Sequence, residues 1–232
     1  MKTLLYLFVL CCVISCSASR QAAQKIKKPT EIKLTTDSGV IVLRLYDKTP
    51  LHKANFIKLV KAKFYDGLLF HRVINNFMIQ GGDPDSKNAK PGALLGEGSP
   101  KLTIPAEFDT SLFHKRGALA AAREPDDVNP KMASSSSQFY IVDGQAYTDE
   151  LLDMVEKKYH VNIPPNHREF YKTIGGDPFL DMNYTVFGEV VSGMDVVEKI
   201  ANAPKDENNR PLHDIEMKME ILKGVLLMRN RI

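Results

Sequence analysis

The run from Phe70 to Pro84, FHRVINNFMIQGGDP, is the feature that most constrains the fold. Apolar residues dominate on both sides of Asn75-Asn76, which is a turn signal, so the run predicts a hairpin of two strands. Alternate side chains of a strand share a face, and in the first strand one face would hold Phe70, Arg72 and Ile74. Arg72 cannot lose its charge, so burying it costs free energy unless it meets a partner.

The second strand would place Met78 and Gln80 on one face. The hairpin then forms a concave apolar patch that carries one guanidinium and one amide but no nucleophile. This composition suits a site that grips an apolar ring and hydrogen-bonds an amide group. The alternative is an ordinary hairpin whose arginine extends its charged end to water.

Short strand patterns recur through the rest of the chain, over Glu31–Thr36, Val40–Tyr46, Leu119–Ala122, Phe139–Val142, Thr185–Val191 and Ile215–Ile221. A first helix is predicted to begin at Thr49-Pro50, with the threonine as N-cap, and to end at Asp66-Gly67. A second helix follows Gly193. Numerous short strands and two helices far apart in the sequence predict a closed antiparallel barrel with helices over its ends.

One segment, from Thr148 to Ile174, stands apart from the strand patterns. Its first half has apolar residues at helical spacing, and a second such piece, Asn166 to Ile174, follows Pro164-Pro165. We predict an inserted helical hairpin beside the candidate site. It could be an insertion without a role, or an arm that binds substrate or a partner. We expect that the fold does not need it.

Four further blocks follow the Phe70 run, namely Gly117–Arg123, Ser137–Val142, Phe179–Asp181 and Tyr184–Val190. In this order the blocks resemble the cyclophilins, which are peptidyl-prolyl cis-trans isomerases. The resemblance extends from about Thr30 to Leu222 with one interruption. It is closest to the bacterial branch, because of Ile104–Phe108 and Tyr184–Gly188. It implies an eight-stranded barrel capped by two helices, which is the fold predicted above.

The resemblance also implies a role for each matching residue. Arg72 would be the catalytic arginine, and Gln80 would orient the substrate and the arginine. The other matches are the proline-pocket walls Phe77, Met78, Tyr140 and Leu180, the strip Ala122, Arg123 and Gln138 where the preceding residues lie, and the rim residues Phe179 and Tyr184. No cofactor is implied. The six histidines have no paired metal-ligand spacing, so no metal site is predicted.

Four positions depart from the pattern of the well-known eukaryotic members. Arg123 stands where many have asparagine, Tyr140 where phenylalanine is usual, and Tyr184 in place of a histidine. Phe179 replaces a tryptophan whose indole N–H contacts cyclosporin, so weakened affinity for cyclosporin-like inhibitors is expected. Activity should survive these changes, because the arginine and the apolar floor are present.

His71 lies inside the same run and could act as a base. Rotation about an X–Pro bond needs no base, so we instead predict that His71 packs in the core with a hydrogen bond.

The N-terminus is typical of a secretory signal followed by a lipid attachment site. Lys2 precedes an apolar run, Leu4 to Ile14, that is too short to span a bilayer. The run is followed by Ser15-Cys16, which resembles a bacterial lipobox and makes Cys16 the expected lipidated residue. The alternative is a plain signal cleaved near Ala18. We predict a signal peptide over residues 1–15, a tether over 16–28 and one cyclophilin-like domain over 29–232, with the insertion at 148–174.

These patterns together predict an exported, monomeric isomerase, anchored to a bacterial membrane through lipid and facing the periplasm. It would accelerate rotation about X–Pro bonds in proline-containing polypeptides that fold after export. The alternatives are a periplasmic proline-binding chaperone or assembly module with incidental turnover, and a lipid-anchored structural protein.

All three cysteines lie within the first 16 residues, so the mature domain has none with which to form a disulfide. A net charge of only +3 gives no support for nucleic-acid binding.

Overall fold

The computed structural model describes residues 29–98 and 102–222. The strands are β1 Thr30–Thr36, β2 Gly39–Leu45, β3 Leu68–Ile74, β4 Met78–Gly81, β5 Thr103–Ile104, β6 Ala118–Ala121, β7 Ser134–Ser135, β8 Phe139–Val142, β9 Val186–Ser192 and β10 Glu216–Ile221. The helices are α1 Pro50–Lys61, α2 Asp149–Tyr159, α3 Pro165–Thr173 and α4 Met194–Ala201. Eight of the strands close into an antiparallel barrel in the order β1-β10-β3-β4-β8-β6-β9-β2, and β5 and β7 pair with each other outside it. The predicted fold class is confirmed.

Side chains at every second position of the strands face inward and fill the interior of the barrel. Ile32 and Leu34 of β1 face inward with Ile41 and Leu43 of β2, and all four are fully buried. Helix α1 covers the barrel with Phe56, whose ring lies against three buried aromatic rings, Tyr65, Phe139 and Phe187. Helix α4 adds four buried side chains, Val196, Val197, Ile200 and Ala201. These two helices are the two caps that the sequence predicts.

The ends of helix α1 differ from the sequence prediction. Thr49 is the N-cap residue, but its side chain makes no capping hydrogen bond. Instead the Glu107 carboxylate, far along the chain, accepts from the backbone N–H groups of Leu51 at 3.0 Å and His52 at 2.9 Å. An anion at this end also complements the helix dipole. The helix ends at Lys61, before the predicted Asp66-Gly67, because the chain turns through a left-handed residue at position 63.

A β-bulge in β3 overturns the prediction that Phe70 and Arg72 share a face. Phe70 is paired with Gly81 and Arg72 with Gln80, so His71 is an extra residue in this strand. The extra residue reverses the alternation. Phe70 packs inside the barrel, whereas the side chain of Arg72 lies on the outer face of the sheet. The residues after Arg72 continue the alternation in this shifted phase.

The segment from Thr148 to Ile174 forms the predicted helical hairpin, α2 and α3, with α3 beginning at Pro165. It has a small core of its own. Leu152, Ile163 and Tyr171 are buried there against Phe113 and Tyr147, which lie outside the hairpin helices. On the outside, Arg168 of α3 forms ion pairs with three acidic residues of α2, namely Asp149, Asp153 and Glu156.

The predictions for residues 1–28, which are the signal peptide over 1–15, the tether over 16–28 and lipid at Cys16, lie outside the described residues. Among residues 29–98 and 102–222, none of the helices has the length and apolar character needed to cross a bilayer. The assignment of 29–232 to one domain also stays a prediction.

Candidate active site

The hairpin of β3 and β4, together with β8, builds one outer face of the barrel. Arg72 lies opposite Gln80 across the hairpin, and Ile74 lies opposite Met78. Gln80 in turn lies opposite Tyr140 of β8. The side chains predicted from the sequence to share a face, Arg72, Met78 and Gln80, therefore do so.

A pocket of about 200 Å³ opens on this face. Nine residues line it, and all nine were predicted: Arg72, Phe77, Met78, Gln80, Ala122, Arg123, Tyr140, Leu180 and Tyr184. The other two predicted substrate-binding residues adjoin it. Gln138 lines a neighbouring pocket that shares Gln80, Ala122 and Arg123. Phe179 packs on Phe77, with 5.7 Å between ring centroids.

Arg72 brings a cation to the edge of this apolar pocket. Its Nη1 donates to Gln80 Oε1 at 3.2 Å, and its guanidinium carbon lies 5.9 Å from the centre of the Phe77 ring. No ion pair with Arg72 is found within the described part of the chain. Partial burial lowers the pKa of the guanidinium from its ordinary value, but the group remains a cation at neutral pH. The remaining N–H donors are available to a substrate.

Gln80 is fixed from both sides. Its Oε1 accepts from Arg72, and its Nε2 donates to Gln138 Oε1 at 3.1 Å. Gln138 is held in turn, because its Nε2 donates to the backbone carbonyls of Gly96 and Gly98. This chain of hydrogen bonds reduces the conformational freedom of the Arg72 side chain before a substrate binds.

Arg123, the second arginine of the pocket, is arranged differently. Its guanidinium lies over the Tyr184 ring, 4.7 Å from the ring centre, and its Nε donates to the backbone carbonyl of Asn183 at 2.7 Å. It also forms an ion pair with Asp126. Its donors and charge are therefore largely committed within the protein, whereas those of Arg72 are not.

The hydroxyl of Tyr140, which the sequence predicts as an addition to the pocket wall, points into a buried polar network. It lies 3.0 Å from His114 Nε2, and His114 Nδ1 lies 2.9 Å from Asp181. The other oxygen of Asp181 accepts from the Tyr171 hydroxyl at 2.7 Å. In the tautomer that donates from Nδ1 to Asp181, Nε2 accepts from the Tyr140 hydroxyl. Burial raises the pKa of Tyr140 well above its ordinary value, so the phenol stays neutral.

Sequence reasoning missed three members of this network, His114, Asp181 and Tyr171. Asp181 follows the predicted pocket residue Leu180, which was the one available signal for it. His114 lies in a segment without periodicity, and Tyr171 lies on an inserted helix. The network ties this helix to the pocket wall.

His71 is buried as predicted, but the hydrogen bond we expected is not found among the described residues. Burial, reinforced by the charge of Arg72, lowers its pKa to about 4, so it is neutral at neutral pH. Its ring lies in the bulge and lines neither the pocket nor its neighbour. Residues 29–98 and 102–222 hold no group of three or more His, Cys, Asp or Glu arranged to bind a metal ion.

Comparison with known proteins decides the family. The model of the family described as cyclophilin type peptidyl-prolyl cis-trans isomerase/CLD matches residues 31–221. The chain belongs to the cyclophilins. A Staphylococcus saprophyticus protein, whose name proposes it as a peptidyl-prolyl cis-trans isomerase, is 35% identical to this cyclophilin over 188 residues. The match covers 80% of this chain and 88% of the relative. A relative of the same name from Staphylococcus haemolyticus is 33% identical over 186 residues, with 80% and 87% covered.

Solved structures agree with the fold of this cyclophilin. A cyclophilin-type isomerase of Cryptosporidium parvum aligns with a TM-score of 0.63 at 21% identity, covering 85% of this chain and 100% of the other. A second structure of that protein, determined in the presence of the dipeptide Ala-Pro, aligns with a TM-score of 0.59 at 22% identity and covers 84% and 99%. The chain is therefore an enzyme of the peptidyl-prolyl cis-trans isomerase class with the cyclophilin barrel.

Proposed function

We propose that this isomerase uses Arg72 as its catalytic cation and acts on proline-containing polypeptides that fold after export. The observation that carries the catalytic part is the position of Arg72. Its guanidinium lies at the edge of an apolar pocket of about 200 Å³, and no carboxylate among the described residues neutralises it. The Ala-Pro dipeptide named with the Cryptosporidium parvum structure supports a pocket for proline in proteins of this fold.

The chemistry requires a twist and no bond breaking. An X–Pro bond resists rotation by about 18–20 kcal/mol because the nitrogen lone pair is delocalised into the carbonyl. In the twisted state the nitrogen becomes pyramidal, and its lone pair can accept a hydrogen bond. Phe77, Met78 and Leu180 offer an apolar seat for the ring, and Arg72 offers the donor. A fixed cation that binds the twisted state more tightly than either planar state accelerates the rotation.

A proline-binding chaperone with incidental turnover is the competing proposal. Such a module needs the apolar seat but gains nothing from an oriented guanidinium. The hydrogen bonds that hold Gln80 between Arg72 and Gln138 favour the enzyme. NMR exchange measurements on a short proline peptide distinguish the two, because an enzyme raises the cis-trans exchange rate at substoichiometric concentration. A binding module with incidental turnover would shift peptide resonances but raise that rate only weakly at such a concentration.

For the location, we propose a lipid anchor at Cys16 in a bacterial membrane, with the domain facing the periplasm. The support is the sequence Val13-Ile14-Ser15-Cys16 after an apolar run. We expect the mature protein to begin at Cys16 and to carry lipid there. Mass spectrometry of the protein from its native membrane tests this, and Cys16→Ala is the control. An unmodified N-terminus downstream of Cys16 would refute the anchor.

We also expect weaker cyclosporin binding than in family members that carry tryptophan at the position of Phe179. A phenyl ring keeps the apolar contact but has no N–H donor, and a lost neutral hydrogen bond costs about 0.5–1.5 kcal/mol, or roughly tenfold at most. Phe179→Trp should therefore tighten cyclosporin binding by up to about tenfold in a calorimetric titration. Equal affinities of Phe179→Trp and the parent protein would place the difference elsewhere in the pocket.

A further inference from the structure

Beside the catalytic pocket, helix α2 exposes an unusual amount of apolar surface. Leu151, Met154 and Tyr159 are 44%, 64% and 43% exposed, although all three are large apolar or aromatic side chains. Together with Tyr147 and Phe179 they line an open groove of about 730 Å³. We call this the α2 groove. Exposed apolar surface of this kind, gathered in one concavity, is typical of a binding site.

The α2 groove is continuous with the catalytic pocket. Phe179 belongs to the groove, and its ring packs on Phe77 of the pocket at 5.7 Å and on Tyr159 of α2 at 5.2 Å. These three rings form an unbroken aromatic row that leads out of the pocket. The row leaves the pocket at Phe77, and a second pocket adjoins the first through Gln80, Ala122 and Arg123. A chain with its proline in the pocket can extend one flank along the aromatic row.

Two lysines lie at the end of the groove that adjoins the catalytic pocket. On its outer side, α2 pairs three of its four acidic residues with Arg168 and Lys172 of α3. Lys157 and Lys158 line the groove itself, and no ion pair is found for either within the described residues. Lys158 Nζ lies 4.9 Å from the centre of the Tyr159 ring, beside the apolar surface. The groove therefore complements a segment that carries an acidic residue next to the pocket and apolar residues beyond it.

We propose that the α2 groove is a second subsite of the isomerase, which binds an extended polypeptide segment flanking the proline and selects for an acidic residue near the pocket and apolar side chains farther from it. This inference rests on the proposed function, because it assigns the groove to the same substrate. The 11 residues of α2 span roughly 16 Å at 1.5 Å per residue. About five residues of extended chain cover that length. A tetrapeptide would therefore leave the groove empty.

The test compares two peptides with the same X–Pro core. One is a tetrapeptide. The other adds five residues, with an aspartate next to the core and two leucines farther out, in separate versions before and after the proline. We expect kcat/KM for one of the long versions to exceed that of the tetrapeptide by about fivefold, as partial burial of two leucines would give. The double variant Leu151→Gln and Met154→Gln should reduce this ratio to about one. Glutamine is a good helix former, so the exposed face of α2 should remain helical.

Leu212→Gln is the matched control, because Leu212 is also 64% exposed but lies outside the groove. It should keep the fivefold ratio. Equal kcat/KM for all the peptides with the parent protein would overturn the subsite, and so would a double variant that keeps the ratio. If the parent protein turned over neither the tetrapeptide nor the long peptides, the catalytic proposal would fail instead.

Two further measurements test whether a substrate segment with an acidic residue, and not another molecule, occupies the α2 groove. A long peptide with lysine in place of the aspartate should react about threefold more slowly at low ionic strength, and the difference should shrink in salt. Equal rates at low ionic strength would overturn the acidic preference. Light scattering should find the parent protein and the double variant to have the same mass. A dimer that the double variant converts to a monomer would show that the groove binds a second copy of the chain.

Discussion

Arg72→Ala should reduce kcat/KM on a short proline peptide by about 10²–10³-fold while leaving the fold intact. This is the range found when one preorganised donor to a transition-state charge is removed from an enzyme. The side chain lies on the outside of the barrel, at the edge of the pocket, so its removal leaves the barrel interior unchanged. Exchange kinetics by NMR measure the loss, and thermal unfolding measures the fold.

Arg123→Ala provides the control for this prediction, because it removes a second arginine from the same pocket. The Arg123 charge is already paired with Asp126, and its guanidinium is stacked on Tyr184. We expect a loss of less than about tenfold, through a less well held pocket rim. If Arg72→Ala folds and retains near-parental turnover, or if both variants lose activity equally, the assignment of the catalytic cation to Arg72 is incorrect.

Tyr171→Ala should lower the free energy of unfolding by about 3–5 kcal/mol, which is the usual cost of truncating a buried aromatic residue. Tyr171 has no exposed surface and packs with Leu152 and Ile163. Its hydroxyl also donates to the Asp181 carboxylate. Tyr171→Phe keeps the packing and removes only this hydrogen bond, so it should cost about 1.5–3 kcal/mol. Urea unfolding of the three proteins gives the comparison.

This prediction bears on the insertion as a whole. The sequence led us to expect that the fold does not need residues 148–174, and that expectation remains untested. The contacts of Tyr171 with Asp181, and of Asp181 with His114, lead us to expect that replacing the insertion with a linker lowers stability. Tyr171→Ala with parental stability would instead support the original expectation.

The pocket was predictable because most of its residues belong to short local patterns. The alternation around Asn75-Asn76 defines the hairpin, and a hairpin fixes which residues lie opposite each other across its strands. Arg72, Met78 and Gln80 could be placed together in this way. The other pocket residues came from the family resemblance, since no local pattern brings Leu180 to the wall of a pocket that starts at Arg72.

Features that depend on distant contacts could not be predicted. Glu107 caps helix α1 across more than fifty residues of sequence, and a local pattern would assign that role to Thr49. The hydroxyl of Tyr140 could face the pocket or the interior, and its direction depends on His114 in another segment. The bulge at His71 has no signature in composition, because it arises from how two strands align.

That bulge has a consequence for how the protein tolerates change. In a strand with strict alternation, side chains two positions apart lie on the same face. A core residue and a surface cation at that spacing therefore cannot both reach their places. One additional residue, His71, resolves the conflict. Side chains before it alternate between the two faces in one phase, and side chains after it alternate in the opposite phase. Deleting His71 would therefore leave Phe70 inside the barrel and Arg72 on the substrate face of a regular strand, whereas a strand that kept every residue but lost the bulge would direct the guanidinium into the barrel.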